Sequence, residues 1–347
     1  MKRIVKQVVG IDVAQKELVV CLGRLTEDLI TELFAHKTFT NDKKGFAALV
    51  QWVKKMTDPA LMVRYVMEAT GVYHESLAYY LLDNNQEVSI ILPNKISNYV
   101  RTLIIKTVTD KTASEAIARF GIERTLECWK RPKEIYRRLR QLTRERDQIV
   151  QERTMIKNQL HAEKSEAFPN NSSIKRFNQR LKLLNQQDRE VKKEIADTIR
   201  TEDEVRELIR LLRTIPGIGE LTGAIILAET NGFDLIRSRR QLASYAGYDV
   251  REKQSGTSVK GKPRISKRGN KYLRKALHLP ALASIRSDER PKAIFARMIS
   301  RHGVKMKAVV AISRKLLEMT FTVFKNRIPY DKEYFKKQVE IKENATV

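Results

Sequence analysis

The sequence predicts an α/β domain at the N-terminus, a long helical hairpin in the middle and a basic, mainly helical region at the C-terminus. Strand-like and helix-like runs alternate from Val5 to about Phe120, and two near-heptad apolar stripes follow between about Pro132 and Leu212. Residues 213–347 are helical, loop-interrupted and basic. A length of 347 residues agrees with two or three domains, because a domain usually has roughly 100–200 residues. The predicted boundaries are 1–130, 131–212, 213–330 and a tail, 331–347.

The first 120 or so residues alternate between apolar runs of strand length and runs of helical periodicity. Phe46, Leu49, Val50 and Val53 recur at helical spacing, which predicts an amphipathic helix over residues 43–56. Strand–helix–strand order implies an α/β layer fold. The predicted elements are two strands in VVGIDVAQKELVVCLG, the helix 43–56, a strand in VRYVMEA, a helix in VYHESLAYYLLDNN that ends at Asn84–Asn85, and a strand in EVSIILP that Pro93 stops.

Two apolar stripes at heptad-like spacing predict the helical hairpin, which we interpret as a coiled coil. The breaker cluster FPNNSS separates them. Dense Arg and Lys flanks favour a dimerising or nucleic-acid-spanning role, and the alternative is an exposed helical pair without a partner. The stripes consist of Ile135, Leu139, Leu142, Ile149, Ile156 and Leu160, and of Ile174, Phe177, Leu181, Leu184, Val191 and Ile195.

The excess of positive charge points to a polyanionic partner. The chain has 67 Lys and Arg against 41 Asp and Glu, a formal charge of +26, and such a field captures nucleic acid through phosphate neutralisation and counterion release. A merely basic protein and a membrane-surface protein are the alternatives, but no lipidation motif is present. No apolar run approaches the ~20 residues of a membrane span. The opening MKRIVKQVVGID reads as a first strand rather than a secretion signal.

Cysteine and histidine usage argues against a zinc site. Cys21 and Cys128 form no CxxC pair, and the five histidines are scattered along the chain. The two cysteines agree with a reducing cytoplasm, where we expect a nucleoid-associated protein.

Three carboxylates on separate predicted elements form the first candidate site. Asp12 lies within an apolar strand, Glu68 ends a later strand and Asp110 opens a helical run. A carboxylate in an apolar strand is costly unless it binds something, and hard oxygen ligands favour Mg²⁺ or Mn²⁺. Two such ions would stabilise the attacking and leaving oxygens of phosphoryl transfer. The alternative is that each carboxylate is structural, with Asp110 as a helix N-cap.

Two glycine-bearing segments form further candidate sites. TIPGIGELTGA, with Gly217 and Gly219, resembles a helix–hairpin–helix whose turn offers backbone N–H groups to a phosphate; a tight turn without a ligand is the alternative. QSGTSVKGKPRISKRGN places Ser255 before a glycine in a cationic loop. A serine hydroxyl needs a base or a metal to become a nucleophile, and otherwise only donates to phosphate. The predicted phosphate contacts in and after this loop are Lys260, Lys262, Arg264, Lys267, Arg268 and Lys271.

Taken in order, these motifs resemble one family: the DEDD transposases of insertion sequences, family one-ten, which includes pilin-gene invertases. The resemblance extends from about residue 6 to 328, and the combination is more specific than any single motif. VVGIDVAQKELVV, VMEATGVYHESLAYYL and KTVTDKTASEAIA resemble the RuvC-like, RNase H-like domain of that family. LLRTIPGIGELTGAIILAE, QLASYAGYDV, SGTSVKG and ISKRGNKYLRKALHLPA resemble its C-terminal transposase domain.

The resemblance implies a function and a mechanism. Asp12, Glu68 and Asp110 match the first three acidic positions, which hold Mg²⁺ at the scissile phosphate, and Ser255 matches the nucleophile that forms a 5′-phosphoserine link. The resemblance also implies a composite centre in a homodimer or homotetramer. A structured non-coding guide RNA, the bridge RNA, is expected to pair with donor and target DNA, so that base pairing reads the sequence and the protein grips the backbone.

One position departs from the family pattern. The third and fourth acids are spaced D-x-x-D, but the fourth position here is Ala113. Residues three apart share a helix face, so both acids could reach one metal pair, whereas Glu115 would point elsewhere. We therefore expect a chain that binds nucleic acid but cuts it slowly or not at all.

Two other functions stay open at this point. A RuvC-like, structure-selective nuclease would use the same carboxylates with water as the nucleophile. A non-catalytic nucleic-acid-binding protein would bind with steep salt dependence and break no strand. No GxxxxGK[ST] loop is present, which agrees with a transesterification that needs no ATP.

Overall fold

A computed structural model describes residues 3–69, 71–103, 107, 109–234, 236–251 and 264–333, and the backbone of 254–255 and 259–260. The chain divides into two compact units, Met1–Arg131 and Pro132–Val347. The finer boundaries predicted after residues 212 and 330 remain predictions. Among the described residues, no helix is both long enough and apolar enough to cross a membrane.

A mixed five-stranded sheet forms the centre of the first unit. Its strand order is β3-β2-β1-β4-β5. The hairpin partners β1, β2 and β3 are antiparallel, while β4 and β5 run parallel to β1. This is the architecture expected of an α/β, RNase H-like domain. The strands are β1 Ile4–Val13, β2 Glu17–Thr26, β3 Thr31–Thr40, β4 Val63–Glu68 and β5 Glu87–Ile91.

Helices cover both faces of this sheet. Val9 and Ile11 of β1 point to one face, where α1 and α2 complete a core with Leu49 and Leu81. Val8 points to the opposite face, where α3 and α4 pack. Alternate residues of a strand face opposite sides, so the continuous apolar run of β1 serves two cores. The helices are α1 Lys43–Met56, α2 Glu75–Asp83, α3 Pro93–Val100 and α4 Asp110–Glu123.

Two elements of this unit were not predicted. Among the residues that the structure describes, β3 lies at the edge of the sheet, pairs with β2 and has mostly half-buried or exposed residues, so its apolar alternation is weak. Pro93 does not simply stop β5, because it is also the first residue of α3. Proline is favoured at the first helical position, where its missing N–H group is not needed.

The start of α4 corrects one sequence interpretation. Asp110 is the first helical residue, and the N-cap is Thr109. The Thr109 hydroxyl accepts from the Thr112 backbone N–H at 3.3 Å, and the Thr112 hydroxyl lies 2.8 Å from the Thr109 backbone N–H. Because this reciprocal pair already caps the helix, the carboxylate of Asp110 is not required for that purpose.

The second unit is mainly helical. Its two longest helices, α5 and α6, pack against each other, and α5 also packs on α8. Ile135, Leu139, Leu142, Ile149 and Ile156 are buried along α5. The finer coiled-coil geometry remains a prediction. The helices are α5 Glu134–Lys164, α6 Asn171–Arg200, α7 Asp203–Leu212, α8 Glu220–Thr230, α9 Arg239–Ala246, α10 Lys271–Ala276, α11 His278–Ser287, α12 Glu289–His302 and α13 Lys305–Asn326.

Four two-residue strands lie between α9 and α10. In the antiparallel pair β6–β9, Val250 pairs with Ile265 and Arg251 with Arg264. We call residues 250–271 the basic segment, and this pair of strands joins its two parts. Within it β7 pairs with β8. The strands are β6 Val250–Arg251, β7 Gln254–Ser255, β8 Val259–Lys260 and β9 Arg264–Ile265.

Candidate active site

Two of the predicted carboxylates end neighbouring parallel strands. The last paired residues of β1 and β4 are Ile11 and Met67, so Asp12 and Glu68 are the next residue on each strand. Both side chains are half-buried. The carboxyl ends of parallel strands are the usual place for a ligand in an open α/β sheet, and the two acids lie at that edge.

Close packing of α4 on the sheet brings Asp110 to the same edge. A Cβ atom on Gly10 would lie 2.4 Å from both the Ser114 carbonyl oxygen and the Ala118 nitrogen. Further along the helix, a Cβ on Gly121 would lie 2.7 Å from Cγ1 of Val8. The helix therefore runs back over β1 from its carboxyl end, and its first residue, Asp110, lies near that end.

The charges of the three carboxylates interact. Burial raises the pKa of Asp12 to about 6, and the neighbouring charges of Asp110 and Glu68 contribute to that rise, against a hydrogen bond from the Val13 backbone that lowers it. Like charges disfavour one another's ionised form. A bound cation would reverse this effect, because it stabilises all three carboxylates in their charged state.

The donor atoms fit a hard divalent cation. All three groups supply carboxylate oxygens, which Mg²⁺ and Mn²⁺ prefer over nitrogen and sulfur ligands. In the part of the chain that the structure describes, however, no three His, Cys, Asp or Glu side chains approach closely enough to enclose an ion. The three acids share one electrostatic environment without forming a completed coordination shell.

Ala113 lies in a cleft next to this site. The cleft has a volume of about 520 Å³, and Glu68, Thr112 and Ala113 line it together with residues of α3. Ala113 is about one helical turn beyond Asp110, and the expectation that a fourth acid belongs at its position remains a prediction. Glu115 faces β3 instead, and its Oε1 lies 3.0 Å from Nε2 of His36. It therefore contacts β3 and is not one of the residues that line the cleft.

The glycine turn of the second unit has a packing role. Gly217 has a φ of +88°, and a Cβ there would lie 2.3 Å from the Pro280 carbonyl oxygen, so glycine is needed to let the turn approach α11. Gly219 is the N-cap of α8, and a Cβ there would meet nothing within 4 Å. These contacts account for Gly217 without a ligand, and phosphate binding by the turn stays a prediction.

The basic segment is described only in part. Ser255 and Lys260 lie on the paired strands β7 and β8, but their side chains are outside the described residues, as is the whole of Lys262. The side chains of Arg264, Lys267, Arg268 and Lys271 are exposed. The two predicted sites lie in different units, so their meeting at one phosphate remains a prediction.

Sequence reasoning missed a buried carboxylate that anchors the end of this segment. The side chain of Glu229, on α8, is 1% exposed, and Arg144 of α5 donates to its two oxygens at 2.8 and 2.9 Å. The Asn270 amide donates to Oε2 of Glu229 at 2.6 Å. The same amide's oxygen caps α10 by accepting from the backbone N–H of Tyr272 and Leu273. A lone glutamate within the apolar run AIILAET was the available signal, because such a group is buried only when paired.

The chain is similar in sequence to known transposases and to a pilin gene-inverting protein. Residues 9–169 match a family model of DEDD transposases of the IS110 type, and residues 209–296 match the model "Transposase IS116/IS110/IS902 family". The pilin gene-inverting protein of Moraxella bovis is 29% identical over 328 residues, which cover 94% of this chain and 98% of that protein. A 43.6 kDa protein of insertion element IS110 from Streptomyces coelicolor is 27% identical over 128 residues, covering 37% of this chain and 31% of that protein.

Similar solved structures correspond to only part of the chain. RuvC of T. thermophilus in complex with a Holliday junction substrate is 10% identical, covers 35% of this chain and 99% of the RuvC chain, and has a TM-score of 0.28. A Ppx/GppA family protein of Aquifex aeolicus is 13% identical, covers 27% of this chain and 37% of that chain, and has a TM-score of 0.21.

Proposed function

Because the chain belongs to the IS110-type family of DEDD transposases and site-specific DNA recombinases, we propose that it is an RNA-guided recombinase that joins DNA strands through a phosphoserine intermediate. The observation that carries the proposal is the placement of Asp12 and Glu68 at the carboxyl ends of β1 and β4, where the close packing of α4 on Gly10 also brings Asp110. Burial and the charges of Asp110 and Glu68 raise the pKa of Asp12, and a divalent cation would stabilise such a group of carboxylates.

Asp12, Glu68 and Asp110 would hold Mg²⁺ or Mn²⁺. When bound, the cation would supply positive charge to the attacking and leaving oxygens of the scissile phosphate. The protein's own part is to hold these carboxylates on a rigid strand pair and helix, so that the phosphate is met by a fixed arrangement of groups. Water as the nucleophile would use the same carboxylates, and this is the competing nuclease function.

Ser255 would be the nucleophile. Its hydroxyl oxygen attacks phosphorus and the bond from phosphorus to the 3′ oxygen breaks. The leaving oxygen becomes a 3′-hydroxyl group, and the proton that it gains balances the proton that the serine hydroxyl gives up. A 5′-phosphoserine link remains. In strand exchange a second 3′-hydroxyl attacks that phosphorus and releases the serine, so one phosphodiester bond replaces another. No external energy source is needed for this balance.

The guide would be a structured non-coding RNA that pairs with both donor and target DNA. The formal charge of +26 supports a partner set of this size, because holding RNA and DNA together requires many phosphate contacts. The acidic site of one subunit and the serine of another would meet at one phosphate, in a homodimer or a homotetramer.

Ala113 would make this chain a weak or inactive catalyst. Its side chain lines the cleft together with Glu68, and its place in the sequence matches the fourth acid of the family pattern. A methyl group offers no ligand and no charge to a metal ion. The chain would then retain its nucleic-acid-binding surface and lose most of its rate of strand cleavage.

The test begins with RNA that co-purifies with the chain, whose sequence identifies the DNA segments with which it can pair. Duplexes containing those segments are incubated in Mg²⁺ with the chain itself, Ala113→Asp, Ala113→Asn and Ala113→Asp combined with Ser255→Ala. We expect Ala113→Asp to raise the strand-exchange rate by orders of magnitude and to give a protein–DNA adduct on a denaturing gel. The asparagine control has nearly the same size without the charge, so it should stay slow.

Each of the other outcomes would indicate a different function for this chain. Cleavage that persists in the double variant without an adduct would show a nuclease that uses water. Equal rates for Ala113→Asp and the unmodified chain would contradict the proposed inactivation. Absence of strand breakage even in Ala113→Asp, with tight and salt-dependent binding, would show a non-catalytic nucleic-acid-binding protein.

A further inference from the structure

We propose that the cleft between α3 and α4 binds the backbone of a single DNA strand beside the scissile phosphate, with Arg101 as its phosphate contact. This inference rests on the proposed function, because it assigns the substrate of the same edge of the sheet. It also names residues that the carboxylate chemistry does not use. The cleft residues of α3 and the residue that follows it are Pro93, Asn94, Ile96, Ser97, Val100 and Arg101.

The helix α3 has one face for packing and one for the cleft. Ile96 and Tyr99 are buried, and the Tyr99 ring meets Phe120 of α4 edge-on with 5.2 Å between centroids. Asn94 and Ser97 lie in the cleft wall and are exposed. The aromatic contact holds α3 against α4, so the cleft stands between two elements that are fixed relative to each other.

The polar residues of the cleft share a spacing. Asn94, Ser97 and Arg101 follow one another at spacings of three and four residues. Residues at these spacings lie on the same side of a helix. Their side chains offer an amide, a hydroxyl and a guanidinium group. All three can donate hydrogen bonds, and amide, hydroxyl and guanidinium donors are the groups that contact phosphate oxygens in protein–DNA complexes.

Arg101 supplies the charge. Its side chain is exposed, and none of the ion pairs found among the described residues involves it. The guanidinium group therefore has no carboxylate paired with it in that part of the structure, although Glu68 lines the same cleft. A cation and a proposed metal-binding carboxylate that line one cleft suit neighbouring phosphates of one strand.

The size and lining of the cleft favour a single strand over a duplex. Its volume of about 520 Å³ is within the range of about 300–1,000 Å³ that is usual for small-ligand sites. The major groove of a duplex alone is about 12 Å wide, so a whole helix would not enter. Pro93, Val100 and Ala113 add apolar surface that suits a sugar or a base.

The experiment measures DNA binding without catalysis. The full chain, Arg101→Gln and Arg101→Lys are titrated with a fluorescent oligothymidylate in EDTA, at several salt concentrations between about 50 and 200 mM. The matched control is Lys55→Gln, an exposed cation at the end of α1. That helix packs on the opposite face of the sheet, so the control removes the same charge away from the cleft.

We expect Arg101→Gln to weaken binding by about ten-fold, which corresponds to about 1.4 kcal/mol, because a hydrogen bond to a charged phosphate is lost. The slope of log affinity against log salt should become shallower by about 0.7, the value for one phosphate of a single strand. Arg101→Lys should keep the slope and lose part of the affinity, because lysine retains the charge without the planar fork. Lys55→Gln should change both the affinity and the salt slope less than Arg101→Gln does.

The inference would be overturned by equal affinities and slopes for Arg101→Gln and Lys55→Gln. Photocrosslinking of the oligonucleotide adds a positional readout, and crosslinks must fall within residues 93–101 for the inference to stand. If Ala113→Asp forms the serine adduct with an unchanged DNA dependence when Arg101 is replaced, the cleft assignment fails and the proposed function stands. If Arg101→Gln loses DNA while no variant forms an adduct, the cleft stands and the serine chemistry fails.

Discussion

Gly10 allows β1 and α4 to approach more closely than any side chain would permit. The atoms that a Cβ would meet are backbone atoms of Ser114 and Ala118, each at 2.4 Å, and backbone cannot rotate away as a flexible side chain does. The same contact places Asp110 over the end of β1. Packing at one glycine therefore sets the separation of the candidate metal ligands.

We predict that Gly10→Ala destabilises the first unit by about 1–3 kcal/mol, the usual cost of overpacking a core, and weakens Mn²⁺ binding because α4 must shift. Urea unfolding measures the first effect, and the Mn²⁺-dependent rise in melting temperature measures the second. Val5→Ala on the same strand, where the side chain is 56% exposed, should stay within about 0.5 kcal/mol of the parent. Equal stability of the two variants would contradict the packing argument.

At this scale the sequence supports some site residues and hides others. Asp12 and Glu68 stand out because acids are rare in apolar strands, and Asp110 stands out because the motif around it resembles a family. Arg144 and Glu229 are 85 positions apart, and no local pattern joins them. Their pairing depends on how α5 packs against α8, which is a property of the folded chain.

Helices with strong periodicity could be predicted, and elements that depend on context could not. The sequence prediction for α1, residues 43–56, agrees with the structure, because its apolar residues repeat at a single spacing and Asp42 caps it. The edge strand β3 has one partner and no continuous apolar face. The helix α3 is short and begins at a proline, so the same residue ends one element and starts the next.

The long helices α5 and α6 enclose an acidic side chain among cations. Asp188 is 5% exposed, with Nζ of Lys192 at 2.7 Å, Nε of Arg146 at 3.0 Å and Nη1 of Arg153 at 3.6 Å. The contact with Arg146 is an ion pair whose alignment does not make a hydrogen bond. Burial works against ionisation, but the Lys192 hydrogen bond and the charges of Arg146, Lys192 and Arg153 outweigh it and hold the pKa of Asp188 below its ordinary value.

A lowered pKa in the folded state means that Asp188 stabilises the fold at neutral pH. The stabilisation is present above the unfolded pKa of about 3.9 and is lost as the pH falls through the lower, folded value. We predict that Asp188→Asn lowers the free energy of unfolding at pH 7 by about 1–3 kcal/mol, less than for a fully buried pair because the cations are partly exposed. Urea unfolding at a series of pH values measures it.

Asp197→Asn is the matched control for this prediction. Asp197 pairs with Arg200 on the surface of α6, and its side chain is 52% exposed, so its replacement should have little effect at any pH. For Asp188→Asn, the difference from the parent should shrink as the pH is lowered below about 4. A difference that stays constant over that range would show that the charge of Asp188 is not its cause.

The positive charge of the whole molecule is unevenly divided. Residues 1–131 contain 19 Lys and Arg against 15 Asp and Glu, so they carry +4 of the total of +26. The second unit carries the remaining +22. A nearly balanced unit that holds the carboxylates is thus linked to a strongly basic one, and most of the long-range attraction for nucleic acid comes from the second.

We predict that duplex DNA binding follows the charge of the second unit. Replacement of Lys267 and Arg268 together by glutamine should make the salt dependence shallower by about two, one for each phosphate that the protein no longer neutralises. Replacement of Lys54 and Lys55 removes the same charge from α1 and should leave the slope nearly unchanged. Fluorescence anisotropy at several salt concentrations measures both, and equal slopes for the two double variants would contradict the assignment.

Glu229 connects the long helix α5 mechanically to the end of the basic segment. Arg144 donates to Glu229, and the 20 residues from there to the end of α5 at Lys164 extend for about 30 Å at about 1.5 Å per residue. Asn270 donates a hydrogen bond to the same carboxylate and caps the N-terminus of α10. A tilt of α5 must either stretch the hydrogen bonds that Glu229 accepts or move Asn270 together with the helix. A displacement of the far end of α5 is therefore transmitted to the end of the basic segment at Asn270.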